Sequence, residues 1–212
     1  MIALLSLLLA CADPAKDVSP AAVKTEAPAP LPAAPAPTPA ATPSYAGNKL
    51  TPSGSVGFTG AKVTKSHDGS FGSWTGALYL DGETLSGLTV EAQVASLKTD
   101  SEKLDNHLKS ADFFEVDRWP TARFESTAIT QGAPADSKLQ GANATVTGNL
   151  TIRDVTKSVS FPAVIEVGAA EVKASTEFFI DRKDFGVVYP GKPDDLIKDE
   201  VVLRVSLSAP RG

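Results

Sequence analysis

The sequence predicts an all-β domain, an antiparallel barrel or sandwich of eight strands with one short helix, carried behind an unfolded N-terminal segment. Three observations lead there. From Asn48 onward, apolar and polar residues alternate by twos in run after run, each run bounded by Gly, Asp or Pro. One stretch, Ser101 to Lys109, changes to helical spacing, with Leu104 and Leu108 one turn apart among charges. Before Asn48 the chain is dominated by Ala and Pro and shows no apolar period.

Taken in order, the first ten residues hold the apolar run Leu4 to Ala10, and the single cysteine, Cys11, follows it directly. Leu8-Leu9-Ala10-Cys11 has the arrangement of a lipobox, so residues 1–10 are expected to be a lipoprotein signal peptide and Cys11 the lipidated residue. The run stops near ten residues, half of what a spanning helix requires. No Lys or Arg precedes it, an unusual n-region that leaves room for a start codon upstream. Ala12 rather than Asp after the cysteine points to outer-membrane sorting in a Gram-negative envelope. Residues 11–47 then read as a linker: nine of the 16 prolines fall between Pro14 and Pro43. Polyproline-like character should make the segment a semi-rigid spacer lifting the domain off the membrane.

Residues 48–212 form the folded domain. A first strand is expected over Ser55–Lys65, with a hairpin turn at His67-Asp68-Gly69. A second runs Gly72–Leu80 with Trp74, Gly76, Leu78 and Leu80 on one face, and Asp81-Gly82 turns it. The third is Ser86–Leu97. After the helix, a fourth spans Ala122–Thr130, with Phe124, Ser126 and Ala128 facing together. The fifth, Leu139–Arg153, alternates most cleanly: Ala144, Val146, Gly148, Leu150 and Ile152 share one face. Arg153-Asp154 turns into a sixth strand through Val167, where Pro162 suggests a bulge or sheet edge. The seventh, Glu171–Ile180, points Val172, Ala174, Thr176, Phe178 and Ile180 together. Phe185–Asp199 is a long loop, and the eighth strand is Val201–Ala209. Small residues on the inner faces (Gly76, Ala92, Ala144, Gly148, Ala174) leave room for a cavity in a barrel of this size.

Composition excludes several functions. A net charge of -5 with no Lys/Arg cluster argues against nucleic acid. One cysteine and two histidines some 40 residues apart, His67 and His107, argue against a transition-metal site. No serine lies in a Gly-x-Ser-x-Gly context. Gly186 to Pro193 matches seven positions of a phosphate-binding loop, but Pro193 stands where Ser or Thr must hold magnesium. No catalytic residue, metal or cofactor is therefore expected.

The segment between helix and fourth strand concentrates large aromatics: Phe113, Phe114, Trp119 and Phe124. On their own they fit a dry core cap or a lid over a pocket equally well. Leu104, His107-Leu108, Ser110, Asp112-Phe113-Phe114, Val116, Pro120, Ala122, Phe124 and Ser126 together resemble the signature of the YceI-like family of bacterial periplasmic proteins. Trp119 stands where the family usually has Tyr. The resemblance continues through Ser66–Phe71, through Val146–Ile152 with Val155–Val159 (Asp154 replacing a usual glycine), through Arg182-Lys183-Asp184-Phe185-Gly186, and through Ile197–Leu207. It implies a lipocalin-like barrel holding a polyisoprenoid or similar amphiphilic lipid, without catalysis. The expected wall residues are Phe71, Trp74, Leu108, Phe113, Phe114, Trp119, Phe124, Phe178 and Phe185. The expected partners are an amphiphilic lipid ligand and the membrane through the acyl anchor, with a homodimer left open. The competing expectation is a filled barrel that docks a periplasmic protein.

Overall fold

The computed structural model describes residues 13–24, 44–193 and 195–211. The signal peptide, Cys11 and most of the Ala/Pro linker lie outside the described residues. In chain order the elements are β1 (Ser19–Pro20), β2 (Ala22–Lys24), β3 (Asn48–Leu50), β4 (Ser53–Ala61), β5 (Ser66–Phe71), β6 (Trp74–Asp81) and β7 (Thr84–Gln93). A 3-10 turn, Val94–Ser96, leads into β8 (Leu97–Thr99) and the helix α1 (Glu102–Lys109). Then come β9 (Thr121–Gln131), β10 (Ala144–Ile152), β11 (Val155–Val167) and β12 (Glu171–Asp181). After the 3-10 turn Arg182–Phe185 follow the short pair β13 (Gly191–Lys192) and β14 (Asp195–Leu196), and finally β15 (Glu200–Pro210).

Except β13 and β14, the described strands join one sheet that curls into a half-barrel, in the order β3-β6-β7-β9-β10-β11-β12-β15-β4-β5-β8. Pairing along this path is antiparallel throughout. The concave face carries the main core, including Val146, Leu150, Phe161, Phe178 and Leu207. Alternation by twos sends every second residue there, as the sequence predicts for Val172, Ala174, Phe178 and Ile180.

Two local expectations fail for identifiable reasons. The first hairpin turns at Lys62–Lys65, where Lys62 N donates to Lys65 O at 2.8 Å. Asp68 and Gly69 instead lie inside β5, opposite Thr59 and Phe58. Gly69 is needed there because a Cβ would sit 2.2 Å from the Phe58 ring. On β9, Phe124 and Ser126 face inward but Ala128 is exposed and Ile129 packs on the core. A bulge opposite Thr147/Gly148 shifts the register by one residue and so exchanges the faces beyond it. Ser126, buried beside that bulge, accepts a hydrogen bond from Leu88 N at 2.9 Å.

The largest departure is at the N-terminus. Residues 13–24, expected to be unfolded spacer, are docked on the sheet: β1 pairs in parallel with β12 and β2 antiparallel with β11. Ala15 and Val18 are buried over Val202 and Phe179 on the convex face. This part of the linker precedes the dense Ala-Pro repeats and contains Val18 and Val23, which supply the apolar surface the repeats lack.

Candidate lipid-binding cavity

The half-barrel encloses a cavity of about 590 Å³, within the range typical of small-molecule sites. Its walls come from inward positions of the long strands, among them Val56, Leu88, Val146, Phe161, Val205 and Leu207. Carbon-rich side chains dominate because strand alternation places them there, while the pleat sends the polar partners to solvent.

One end of the cavity is covered by α1, the aromatic loop after it, and the 186–199 loop. Leu104 and Leu108 of α1 turn toward the cavity, one helical turn apart. The helix is fastened to β8 by Asp105, which is buried and accepts from Thr99 N at 2.6 Å and from Thr99 Oγ1 at 2.7 Å. Those bonds hold its carboxyl below the usual carboxylate range. Three rings close over this end: His107 lies edge-on to Phe113 and to Tyr189 at 5.0 Å each, and Phe113 lies 5.3 Å from Tyr189. His107 Nε2 also sits 2.8 Å from Asp112 Oδ2.

The 186–199 loop is positioned by Arg182, which is itself buried. Its guanidinium donates to Val187 O at 2.6 Å, to Lys198 O at 3.1 Å and to Asp199 Oδ1 at 3.1 Å. A buried cation with its donors distributed over loop carbonyls and a carboxylate is satisfied, and removing it would leave several acceptors unpaired. Farther out, the Lys62–Asp195 ion pair and Thr64, whose Oγ1 donates to Asp195 at 2.9 Å, form a polar rim. Lys62 and Thr64 together hold the Asp195 carboxyl below its ordinary range. Lys103, Lys192, His67 and His107 also border the opening. The result is an apolar interior with a polar, largely cationic mouth.

Of the residues predicted for the wall, Phe71, Leu108, Phe113, Phe114, Phe124, Phe178 and Phe185 border this cavity. Trp74 and Trp119 do not. Trp74 packs against the main core beside Gly76, whose added Cβ would lie 3.4 Å from the Trp74 ring. Trp119 has Arg118 over its ring at 5.0 Å, and its buried Nε1 has no hydrogen-bond partner among the described residues. Ala92 and Ala174 border the cavity, but Ala144, Gly76 and Gly148 do not. Gly148 instead makes room for the Phe124 ring, 2.4 Å from where its Cβ would be. Sequence reading missed Phe58, Phe161 and Tyr189 as wall residues. The first two carry the same strand alternation as their neighbours, whereas Tyr189 lies in an irregular loop that gives no periodic signal. Among the described residues, no group of three or more His, Cys, Asp or Glu is placed to hold a metal ion.

Comparison with known proteins follows the same span of the chain. Residues 50–209 match the family model described as the YceI-like domain. A UPF0312 protein of Pseudomonas putida W619 is 32% identical over 133 residues, covering 60% of this chain and 63% of that protein. The chain thus spans less than two-thirds of that relative's length. A UPF0312 protein of Pseudomonas fluorescens SBW25 is 29% identical over 144 residues, covering 64% and 71%. Among solved structures, Burkholderia cenocepacia BcnA has a TM-score of 0.59 at 23% identity, covering 73% of this chain and 96% of its own. A polyisoprenoid-binding domain from Saccharophagus degradans gives 0.60 at 11% identity, covering 76% and 97%. At these identities the structural likeness establishes the fold.

Proposed function

Since the chain belongs to the YceI-like domain family, we propose that it binds a long amphiphilic lipid of the isoprenoid type in its half-barrel, without chemistry. The cavity carries this reading: about 590 Å³, walled by aliphatic and aromatic side chains and opening past a polar rim. The Saccharophagus degradans neighbour is described as polyisoprenoid-binding, which supports the same ligand class here. An apolar tail would lie among Leu88, Phe161, Phe178 and Leu207, and a polar head would remain beside Lys62, Lys103 and Lys192. Each buried methylene contributes about 0.8 kcal/mol, so a ten-carbon stretch releases about 8 kcal/mol gross before association costs.

The protein holds its ligand at the bacterial envelope, tethered through an acylated Cys11, and stores or carries it there. The deciding experiment is native mass spectrometry of the full chain purified from a bacterial host, with organic extraction of any bound species. The expected result is a discrete copurifying lipid that is lost in Ala174→Phe, which fills the floor of the cavity, while far-UV circular dichroism is unchanged. A protein free of lipid that also takes up no added polyprenyl alcohol would overturn the reading and favour a filled barrel with a protein partner.

A further inference from the structure

Along the run of long strands from β9 through β12 and β15 to β4, the ladders are extended except at one seam. β12 pairs with β15 over its whole length, from Glu171↔Pro210 to Asp181↔Glu200. β10 pairs with β11 from Ala144↔Ala163 to Ile152↔Val155. Between β11 and β12, however, the ladder runs only from Val164↔Ser175 to Val167↔Val172. Pro162, which has no N–H to give, marks the point where the two strands part. Beyond it they are bridged by Thr176 Oγ1 donating to Pro162 O at 2.6 Å and, inside, by Phe161 stacked on Phe178 at 4.1 Å and 4°. Left alone, both backbones would present unpaired edges on the flank of an apolar cavity.

Residues 19–24 fill this gap. Ser19 and Pro20 lie opposite Phe178 and Phe179, and Ala21 N donates to Phe179 O at 2.8 Å. On the other side Ala22, Val23 and Lys24 pair with Ser160, Val159 and Ser158. Ala21 and Val23 pack against the core cluster that includes Phe161 and Phe178. Outside the seam the preceding turn is fastened separately. Val18 is buried, Asp13 pairs with Lys198, and Ser19 Oγ accepts from Lys138 N at 2.7 Å. The segment lies outside residues 50–209, the span matched to the domain family.

We infer that the seam between β11 and β12 is a strand-binding groove whose occupant is the chain's own residues 13–24, and that this strap closes the side wall of the cavity and retains the lipid. With the strap in place, this flank is closed to a bound chain. With it displaced, the flank is barred only by the Thr176–Pro162 hydrogen bond and the Phe161–Phe178 stack, and the lipid passes sideways. The inference rests on the lipid-binding reading above, and its test separates the two.

Pro20 and Phe179 are Cα partners on the outer surface, so Pro20→Cys with Phe179→Cys, in a Cys11→Ser chain, gives a reversible lock. The probe is a fluorescent polyprenyl analogue, and the reading is its release rate from the full chain. The oxidised lock should release at least about tenfold more slowly than the same protein after reduction. Val18→Asp, which charges the buried face of the strap, should release at least about tenfold faster than wild type. Equal rates in all these states overturn the strap while leaving the binding reading intact. Failure of the wild-type chain to take up the probe overturns the binding reading and the gate with it. A disulfide that forms between two chains, seen as a covalent dimer, overturns the assignment of the occupant to the same chain.

Discussion

Leu78 and Leu207 are both almost fully buried, at 0% and 3% exposure, yet they should respond differently to truncation. Leu207 borders the cavity and Leu78 does not. Leucine to alanine removes three carbons, about 2.4 kcal/mol of transfer free energy at about 0.8 per carbon. At Leu78 the space left behind is enclosed on all sides; a void of about 60 Å³ at about 24 cal/mol per Å³ adds about 1.4 kcal/mol. At Leu207 the space joins a cavity already present, so little is added. Leu78→Ala should therefore cost about 4 kcal/mol and Leu207→Ala about 2.5. Urea denaturation of lipid-free protein, followed by circular dichroism and with m-values compared, measures both. Equal losses near 4 kcal/mol would refute the reasoning, because they would mean that the interior around Leu207 is packed solid. Adding ligand should then raise the midpoint of Leu78→Ala as it does that of wild type, since a site that binds only the folded chain stabilises it by mass action.

Arg182→Leu should lower stability by about 2–3 kcal/mol by leaving loop carbonyls without donors, and hydrogen exchange should show the 186–199 amides losing protection while β9 and β10 keep theirs. Asp105, Asp195 and Asp13 all have lowered pKa values, from Thr99, Lys62 and Lys198 respectively. Their contribution is thus complete above the ordinary carboxylate value near pH 4 and is lost as pH falls through the lowered folded values; Asp105→Asn should flatten that acid limb in a thermal-melt series, and an unchanged slope would remove Asp105 from it. Gly148→Ala should cost at least about 1–3 kcal/mol in a thermal or urea melt, since its Cβ would meet both the Phe124 ring and the Glu125 carbonyl oxygen at 2.4 Å. In the acylated chain on vesicles, energy transfer from Trp74 and Trp119 to a dansyl lipid should be strong and should fall in Val18→Asp. Under the proposed acylation of Cys11, docking at Asp13 leaves two residues, about 7 Å extended, between anchor and barrel, where a released polyproline-like spacer of 36 residues at about 3.1 Å each would reach up to about 110 Å; equal transfer in the two proteins would show that the strap does not shorten the tether.

Much of the half-barrel was legible because period two is a direct consequence of the pleat. Val146, Leu150, Phe178 and Leu207 declare their face by their neighbours, and the cavity follows from where the small Ala92 and Ala174 fall on it. Several features were not legible, each for a physical reason. The bulge in β9 depends on pairing with β10, so Ala128 and Ile129 exchange faces with no local sign in the sequence. Asp68-Gly69 has the composition of a hairpin turn, yet the glycine serves the Phe58 ring across the strand. The aromatic segment 113–124 reads as one unit, but Phe113 and Phe124 reach the cavity while Trp119 does not. Residues 13–24 were hardest to read, because what orders them is a gap between strands more than 130 residues downstream.

The cavity and the strap answer one structural problem. A half-barrel that keeps its interior open forgoes side-chain contacts across the middle, so its stability must come from ladders and from the ends. Long ladders run from β9 to β11 and from β12 through β15 to β4, and one end is covered by α1, the loop held by Arg182 and the rings around His107. The short β11–β12 ladder is the weak join in that chain of pairings. Closing it with a covalent continuation of the sheet would complete the wall but fix it shut. A strap of twelve residues, held by a two-residue and a three-residue strand, an ion pair and two small apolar side chains, supplies the missing hydrogen bonds and can still be released without unfolding the barrel. That asymmetry, strong ladders around the cavity and a weak one beside it, is what the proposed holding and release of a lipid would require.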